Sequence, residues 1–263
     1  MMNIENCYRA FWKRKSFHLF RGVGNEKISE KELAAISDAY AGFESLYPEI
    51  RTAIRIVPSK SIPSKRDAEY CILLYSEKKE NYLLNAGFIG EQLDLWLVDH
   101  HIGSLWYGIG KPDERNYDGL EYVIMFAIRK VSDESKYRGN MQKAARKPLS
   151  EVWRGEDYGV ADIARFAPSA CNSQPWYVES KDNTLTVFRR GNPGKLGIMP
   201  AAAASYFNRI DMGIYLCVLE ICLLEKGMDF TRMLYTDEGS KAEYTKIAEL
   251  VLRNAPREAG LDE

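Results

Sequence analysis

Part of this chain is written twice, and that restricts its fold more than any other feature. Arg14-Lys15-Ser16-Phe17-His18-Leu19-Phe20-Arg21-Gly22 reads against Arg146-Lys147-Pro148-Leu149-Ser150-Glu151-Val152-Trp153-Arg154-Gly155, with one residue inserted. Each start is followed by the same order of text: helix, strand pair, long apolar helix, glycine, strand. In the first half a helical run, Glu5 to Lys15, precedes the start, and Ser29 with Glu32 marks a capping box ahead of Leu33, Ile36 and Tyr40. Strands are expected at Ala53 to Val57 and Tyr70 to Tyr75 around the polar loop Pro58 to Arg66. A helix then runs from about Asn81 to Ile102 with Gly103 as its left-handed stop, before a strand at Tyr122 to Ile128 and a basic linker, Arg129 to Lys147. The second half gives a helix at Val160 to Ala167, strands at Trp176 to Glu179 and Thr184 to Arg189, and an apolar helix at Asp211 to Glu225. Gly227 and a strand at Phe230 to Tyr235 follow. The tail from Glu238 reads as a helix carrying Ile247, Leu250 and Val251. Two diverged copies of one α/β unit, about 1–145 and 146–263, are expected to interlock about an approximate two-fold axis as a single unit over 1–263. The alternative is a chance likeness between two generic α/β segments.

A chain of 263 residues can bury a sizeable core or be built as two such halves. Its 36 Lys and Arg against 37 Asp and Glu leave a net charge of -1, which offers no concentrated basic surface for a nucleic acid. The greasiest run, Ile214 to Leu224, is broken by Glu220 and falls short of the roughly 18 to 20 residues that cross a bilayer, so no membrane span is expected. The N-terminal text has neither an apolar h-region nor a small-residue cleavage site, and a cytoplasmic location is expected. Cys7, Cys71, Cys171, Cys217 and Cys222 match neither CxxC pairs nor a zinc framework and read as free thiols. With only His18, His100 and His101 available, no metal site is expected.

The strongest local signal is Ala167-Pro168-Ser169-Ala170-Cys171-Asn172-Ser173-Gln174-Pro175-Trp176. Pro168 ends the preceding helix, and Ser169, Asn172 and Gln174 put short polar groups on a loop ahead of a strand. Such a loop suits the edge of a flat heteroaromatic ligand; it suits equally a helix-ending turn with Trp176 in the core. APSACNSQPW resembles the APSxxNxQPW motif of the flavin-dependent nitroreductase family. Other pieces are similar in the family's order: Arg14-Lys15-Ser16 to its N-terminal Arg-x-Ser, Gly103 to Gly110 to its glycine-rich turn, and Lys143 to Pro148 to its basic segment before a proline.

This resemblance implies a three-layer αβα sandwich, an α/β (α+β) fold, that binds FMN. It implies a reaction in which NADH or NADPH delivers hydride to the flavin and a nitroaromatic, quinone or similar small-molecule acceptor then takes the electrons. The cofactor-binding residues implied are Arg14, Lys15, Ser16, His18, Gly108, Gly110, Arg146, Pro168, Ser169, Ala170, Asn172 and Gln174. Arg14 and Arg146 are the phosphate donors, aided by Lys15 or Lys143. Gly108 and Gly110 lie in the turn that offers an N–H to the flavin. Ser169, Asn172 and Gln174 address the ring or ribityl groups, with Pro168 and Ala170 packed on the ring. His18 falls one turn beyond Arg14 and is also read as a half-buried structural residue. No side chain is assigned as a general acid. The serine-asparagine loop occurs only in the second copy and Arg-x-Ser only in the first, so one flavin per chain, in a fused pseudo-dimer, is expected. The chain is then a monomer or a weak homodimer. The competing reading is a flavin- or small-ligand-binding protein of the same fold without efficient turnover. Gly22-Val23-Gly24 and Gly108-Ile109-Gly110 lack the third glycine of a dinucleotide fingerprint, and Cys171 has no histidine beside it in sequence to make a thiolate pair.

Overall fold

Two five-stranded sheets organise the residues that the computed structural model describes, which are 3–62, 66–191, 201–237 and 242–253. The chain divides into two units, Met1–Ala144 and Ala145–Glu263, each with its own sheet.

In the first unit, α1 (Ile4–Lys13) starts at Asn3, whose side chain accepts the Asn6 N–H, and buries Cys7, Ala10 and Phe11 along one face. Helix α2 (Glu30–Ala41) forms the expected capping box between Ser29 and Glu32 and buries Ile36. Strands β1 (Thr52–Pro58) and β2 (Tyr70–Ser76) pair antiparallel from Thr52↔Ser76 to Pro58↔Tyr70. After them come α3 (Tyr82–Asp99), β3 (Ile102–Trp106), the short β4 (Asn116–Tyr117) and β5 (Leu120–Lys130), and the sheet runs β1-β2-β5-β3 with β4 on β5. Ile36 of α2, Leu93 and Leu97 of α3, and Ile72, Ile102, Phe126 and Ile128 of the sheet form a buried core that Ile28 completes. Because α3 is covered on nearly all sides, it reads as apolar without a stripe.

Gly103 does not stop this helix. It ends at Asp99, and the left-handed residue is His101, at φ 58°. Gly103 lies inside β3, where an added Cβ would stand 2.7 Å from Val131 Cγ2 and 3.0 Å from the Phe17 ring. Close packing, not chain reversal, is what this glycine permits.

The second unit opens with α4 (Leu149–Val152), β6 (Trp153–Arg154) and α5 (Ala161–Ala164), whose continuing turns reach Ala167 before Pro168. Strands β7 (Trp176–Lys181) and β8 (Thr184–Arg190), helix α6 (Ala201–Glu225), and strands β9 (Phe230–Leu234) and β10 (Tyr244–Leu252) complete it. Its sheet runs β6-β7-β8-β10-β9, with β6 parallel to β7 and every other pair antiparallel. Helix α6 begins ten residues before the expected start at Asp211, in alanine-rich text. It ends in a Schellman arrangement: Gly227, at φ 72°, donates its N–H to Leu224 O (2.9 Å), and Met228 donates to Leu223 O (3.0 Å).

The tail is a strand, not the expected helix. Thr245, Ile247, Ala248, Leu250 and Leu252 are buried, and the register of β10 on β8 shifts between Lys246 and Ala248. This bulge adds a residue to a period-2 pattern and leaves Ile247 and Leu250 three apart, the spacing a helix would show. Residues 63–65 of the polar loop, residues 192–200, and residues 238–241 and 254–263 of the tail lie outside the described residues.

With the short β4 set aside, each unit threads a hairpin, a long helix and two further strands, the last of which lies between the hairpin and the strand before it: β1-β2-β5-β3 in one, β7-β8-β10-β9 in the other. The repeated starts dock differently. Ser16 bridges in parallel to Ser104 on β3, whereas Trp153–Arg154 pairs with β7, at the other end of the strand order. Among the described residues no helix is long and apolar enough to cross a membrane.

Gly227→Ala places a Cβ where φ is positive, although no neighbouring atom obstructs it. Urea unfolding is expected to show a loss of about 1 kcal/mol, with Gly227→Asn losing less.

Candidate functional site

Arg14 is the residue at which α1 ends: its N–H still bonds Ala10 O (2.8 Å), but its ψ of 133° turns the chain out of the helix. Its side chain points inward and is 2% exposed. Nε donates to Asp94 Oδ2 (2.8 Å) and Nη2 to Ser16 Oγ (3.3 Å). Asp94 lies on α3 and also accepts from Ser104 Oγ and from Trp106 Nε1 (3.0 Å), so one carboxylate gathers three donors, two of them on β3. The Ser16–Ser104 bridge and the Phe17 N–H on Ser104 O (3.0 Å) lay the Arg14-Lys15-Ser16 segment beside that strand. Arg14, expected at a phosphate, is thus a buried ion pair; burial opposes its charge, and Asp94 and then Glu91 overcome this and hold its pKa above the ordinary value.

Glu91 stands one turn before Asp94, fully buried, and neither of its carboxyl oxygens has a hydrogen-bond partner. Burial, then the charge of Asp94, pushes its pKa well above the ordinary carboxylate value, against the pull of Arg14. Charges inside the apolar text Tyr82 to Asp99 were the sequence signal for both acids, and the sequence reading passed over them.

A group of cations surrounds this pair's outer side. Tyr137 is buried edge-on to Phe17, with centroids 5.5 Å apart, and the Arg138 N–H bonds Lys13 O (2.8 Å), which sets Lys136 and Arg138 near Lys15. Burial and then Lys136 and Arg138 lower the pKa of Lys15; burial and then Arg14 bring Arg138 down to about 10. Lys136 meets Asp133 at 3.9 Å; among the described residues no ion pair joins a carboxylate to Lys15 or Arg138. Neither Lys136 nor Arg138 was singled out from the sequence, because they lie in what reads as a polar linker.

His18 is not on the helix face of Arg14, since α1 ends at Lys13; it is exposed beyond the bridge residue Ser16. Gly108 and Gly110 sit in the turn that follows β3, not one that directly follows the helix, and Gly110 N–H bonds Tyr107 O (3.2 Å). A Cβ on Gly110 would collide with Met125 Cε, so its bareness serves packing.

In the second unit the loop Pro168 to Pro175 is tied on two sides. On one, Arg146 Nη1 donates to Asn172 Oδ1 (2.9 Å) and Nη2 to Phe166 O (3.0 Å), while Asn172 Nδ2 donates to Ala145 O (3.1 Å). Gln174 Oε1 accepts the Lys147 N–H (2.8 Å), and Ser169 Oγ accepts the Gln174 N–H (3.0 Å). On the other, buried Asp211 of α6 accepts from Ala170 N–H (2.9 Å) and Ser173 Oγ (3.1 Å). Burial pushes the Asp211 pKa up to about 7 although both hydrogen bonds pull it down.

The structure therefore brings Arg146, Ser169, Asn172 and Gln174 into one network. It also corrects two assignments: Pro168 and Gln174 are buried and cannot present themselves to a ring, and Gln174 bonds its own loop through Asn172 O (3.2 Å). Ser169 and Ala170 are half-buried and Asn172 is exposed. Trp176 is core, stacked on Tyr215 at 4.8 Å.

A cleft of about 370 Å³ opens in the first unit between α1, α2 and α3, against Cys7, Asp38, Phe43, Trp96 and His100. None of the residues singled out above for a cofactor lines it. Among the described residues no group of three His, Cys, Asp or Glu side chains is arranged to hold a metal ion.

A family model described as “Putative TM nitroreductase” matches residues 6–222. A crystal structure described as a putative nitroreductase from Thermotoga maritima MSB8 is similar over 96% of both chains, with a TM-score of 0.57 and 17% identity; at that identity the likeness is one of fold. A nitroreductase family protein from Clostridium difficile 630 is 17% identical over 57% of this chain and 96% of its own, with a TM-score of 0.44. One from Clostridium novyi NT is 18% identical over 52% and 92%, with a TM-score of 0.38. No curated protein matches.

Asp94→Ala strands the buried Arg14 charge and is expected to lower unfolding stability by about 3–5 kcal/mol, partly recovered in an Arg14→Leu/Asp94→Leu double variant. Native Glu91 keeps a proton that the unfolded chain gives up near 4.5, so its contribution to stability is greatest at low pH. Stability is expected to fall as pH rises above that value until the native acid itself ionises. Denaturant titrations across pH 4 to 8 check this, with Glu91→Gln flattening the slope.

Proposed function

The chain belongs to the family described as “Putative TM nitroreductase”, and from that premise we propose that it is an FMN-dependent oxidoreductase that takes hydride from NADH or NADPH and reduces a nitroaromatic, quinone or similar small acceptor. The observation that carries the reading is the cation group Lys15, Lys136 and Arg138 at the end of the Arg14-Lys15-Ser16 segment, where burial and then the like charges of Lys136 and Arg138 lower the pKa of Lys15. Like charges held together are stabilised by an anion, and a flavin's phosphate supplies one of the right charge. The donor set of the first unit fits FMN in that respect: an ammonium pair and a guanidinium suit its phosphate.

When bound, the flavin supplies the hydride and electron chemistry. The chain's own residues bind and orient it. Arg138, Lys136 and Lys15 hold the phosphate. Arg14, paired with Asp94, stiffens the segment that carries Lys15 and Ser16. Arg146 fixes the Asn172 amide so that its orientation is set before any ligand arrives. No side chain is assigned a proton-transfer step.

Protein incubated with FMN and freed of excess is expected to retain about one flavin per chain, bleached by NADH or NADPH in stopped-flow mixing. Colourless, well-folded protein would sink the proposal; bound flavin that neither nucleotide bleaches would leave a binding protein without turnover. Arg138→Ala removes a charge-assisted contact of about 1.5–3 kcal/mol, so its Kd for FMN should rise about 10- to 100-fold by fluorescence titration.

A further inference from the structure

We propose that Asp211 is a positioning residue: from the buried helix α6 it holds the loop Pro168 to Pro175 in its left-handed shape, and so sets Ser169 and Asn172 for the flavin. The second half of this inference rests on the flavin reading above.

The loop adopts a backbone that its residues do not favour. Cys171, Asn172 and Gln174, none a glycine, stand at φ 50°, 57° and 48°. Such angles persist where surrounding structure imposes them, and they gather where function needs a particular shape. Asp211 grips the loop at the two residues that bracket the first two of these. Its Oδ1 takes the Ala170 N–H at 2.9 Å and its Oδ2 the Ser173 hydroxyl at 3.1 Å, and Ser173, 1% exposed, also lies 3.3 Å from Asn208 Oδ1. Ala170 and Ser173 are themselves joined by the Ser173 N–H on Ala170 O (3.0 Å), which closes the turn over the anchor. The outer side is held separately by Arg146 and Lys147.

Asp211 has no charge partner of its own. It is 2% exposed and forms no ion pair among the described residues; the nearby guanidinium of Arg209 is turned to Asp237, at 3.4 Å. A buried carboxylate without a cation lowers stability. Its rise towards neutral pH is the mark of that environment, and such groups collect at functional sites. Packing alone does not call for an aspartate here, whereas two loop donors needing a bidentate acceptor do.

The test compares wild type, Asp211→Ala, Asp211→Asn and Ser173→Ala by hydrogen–deuterium exchange of the protein without flavin, and by FMN titration. Asp211→Ala should speed exchange in peptides covering 168–175 by at least tenfold while β8 peptides are unchanged, weaken FMN by at least tenfold, and move the bound-flavin absorption towards that of free FMN. Asp211→Asn should restore protection and affinity to within about threefold, because its carbonyl still accepts from Ala170 and its amide can donate to Ser173. Ser173→Ala should fall between and serves if the alanine variant does not fold. Unchanged loop exchange in Asp211→Ala overturns the clamp whatever flavin does. A loosened loop with unchanged FMN affinity overturns the link to the cofactor. Wild type that binds no FMN overturns the flavin reading and that link together, and the exchange data still judge the clamp.

Discussion

The first unit depends on one carboxylate. Asp94 stands on a buried helix, and it survives there because Arg14, Ser104 and Trp106 all donate to it. Taking a charge out of water is tolerable only with such partners. By meeting that need, the three donors fasten the exit of α1 and the strand β3 to the middle of α3. The Arg14-Lys15-Ser16 segment can then lie along β3. Glu91, one turn away, meets the same problem differently: burial and then the charge of Asp94 drive its pKa well up.

The second unit repeats this logic with other residues. Its long helix also carries a buried acid, Asp211, and again the donors come from a segment bearing the motif chemistry, here Ala170 and Ser173 of the 168–175 loop. The difference lies in compensation. Asp94 is matched by a guanidinium; Asp211 has backbone and hydroxyl donors only, which leaves its pKa near 7. Both acids convert the rigidity of a packed helix into the placement of an irregular segment, a chain exit or a loop.

How far the text alone reached can be judged residue by residue. The Ser29–Glu32 capping box, the hairpins around residues 52–76 and 176–190, and the closing Gly227 follow from local rules that neighbours three or four positions apart satisfy by themselves. The strand β10 was misread because a bulge disguises its alternation, and a bulge exists only in relation to the partner strand. Gly103 was misread because a glycine after a helix is the usual stop, while its actual constraint is the side chain of Val131, far along the chain.

The sequence by itself determined which segments are helix and strand through most of the chain, which family motif it carries, and which polar residue types the 167–176 segment and the Arg14-Lys15-Ser16 start contain. Tertiary structure decided what those residues do with their charges. Arg14 looks like a free cation until Asp94, eighty positions away, is folded against it; Lys136 and Arg138 look like linker until Tyr137 is buried on Phe17. Gln174 looks like a ligand contact until it closes its own loop. The physical reason is range. Caps, turns and periodicity act over a few residues and can be read in order, whereas ionisation and donor use depend on burial and on partners that only the folded chain brings within 3 Å or so.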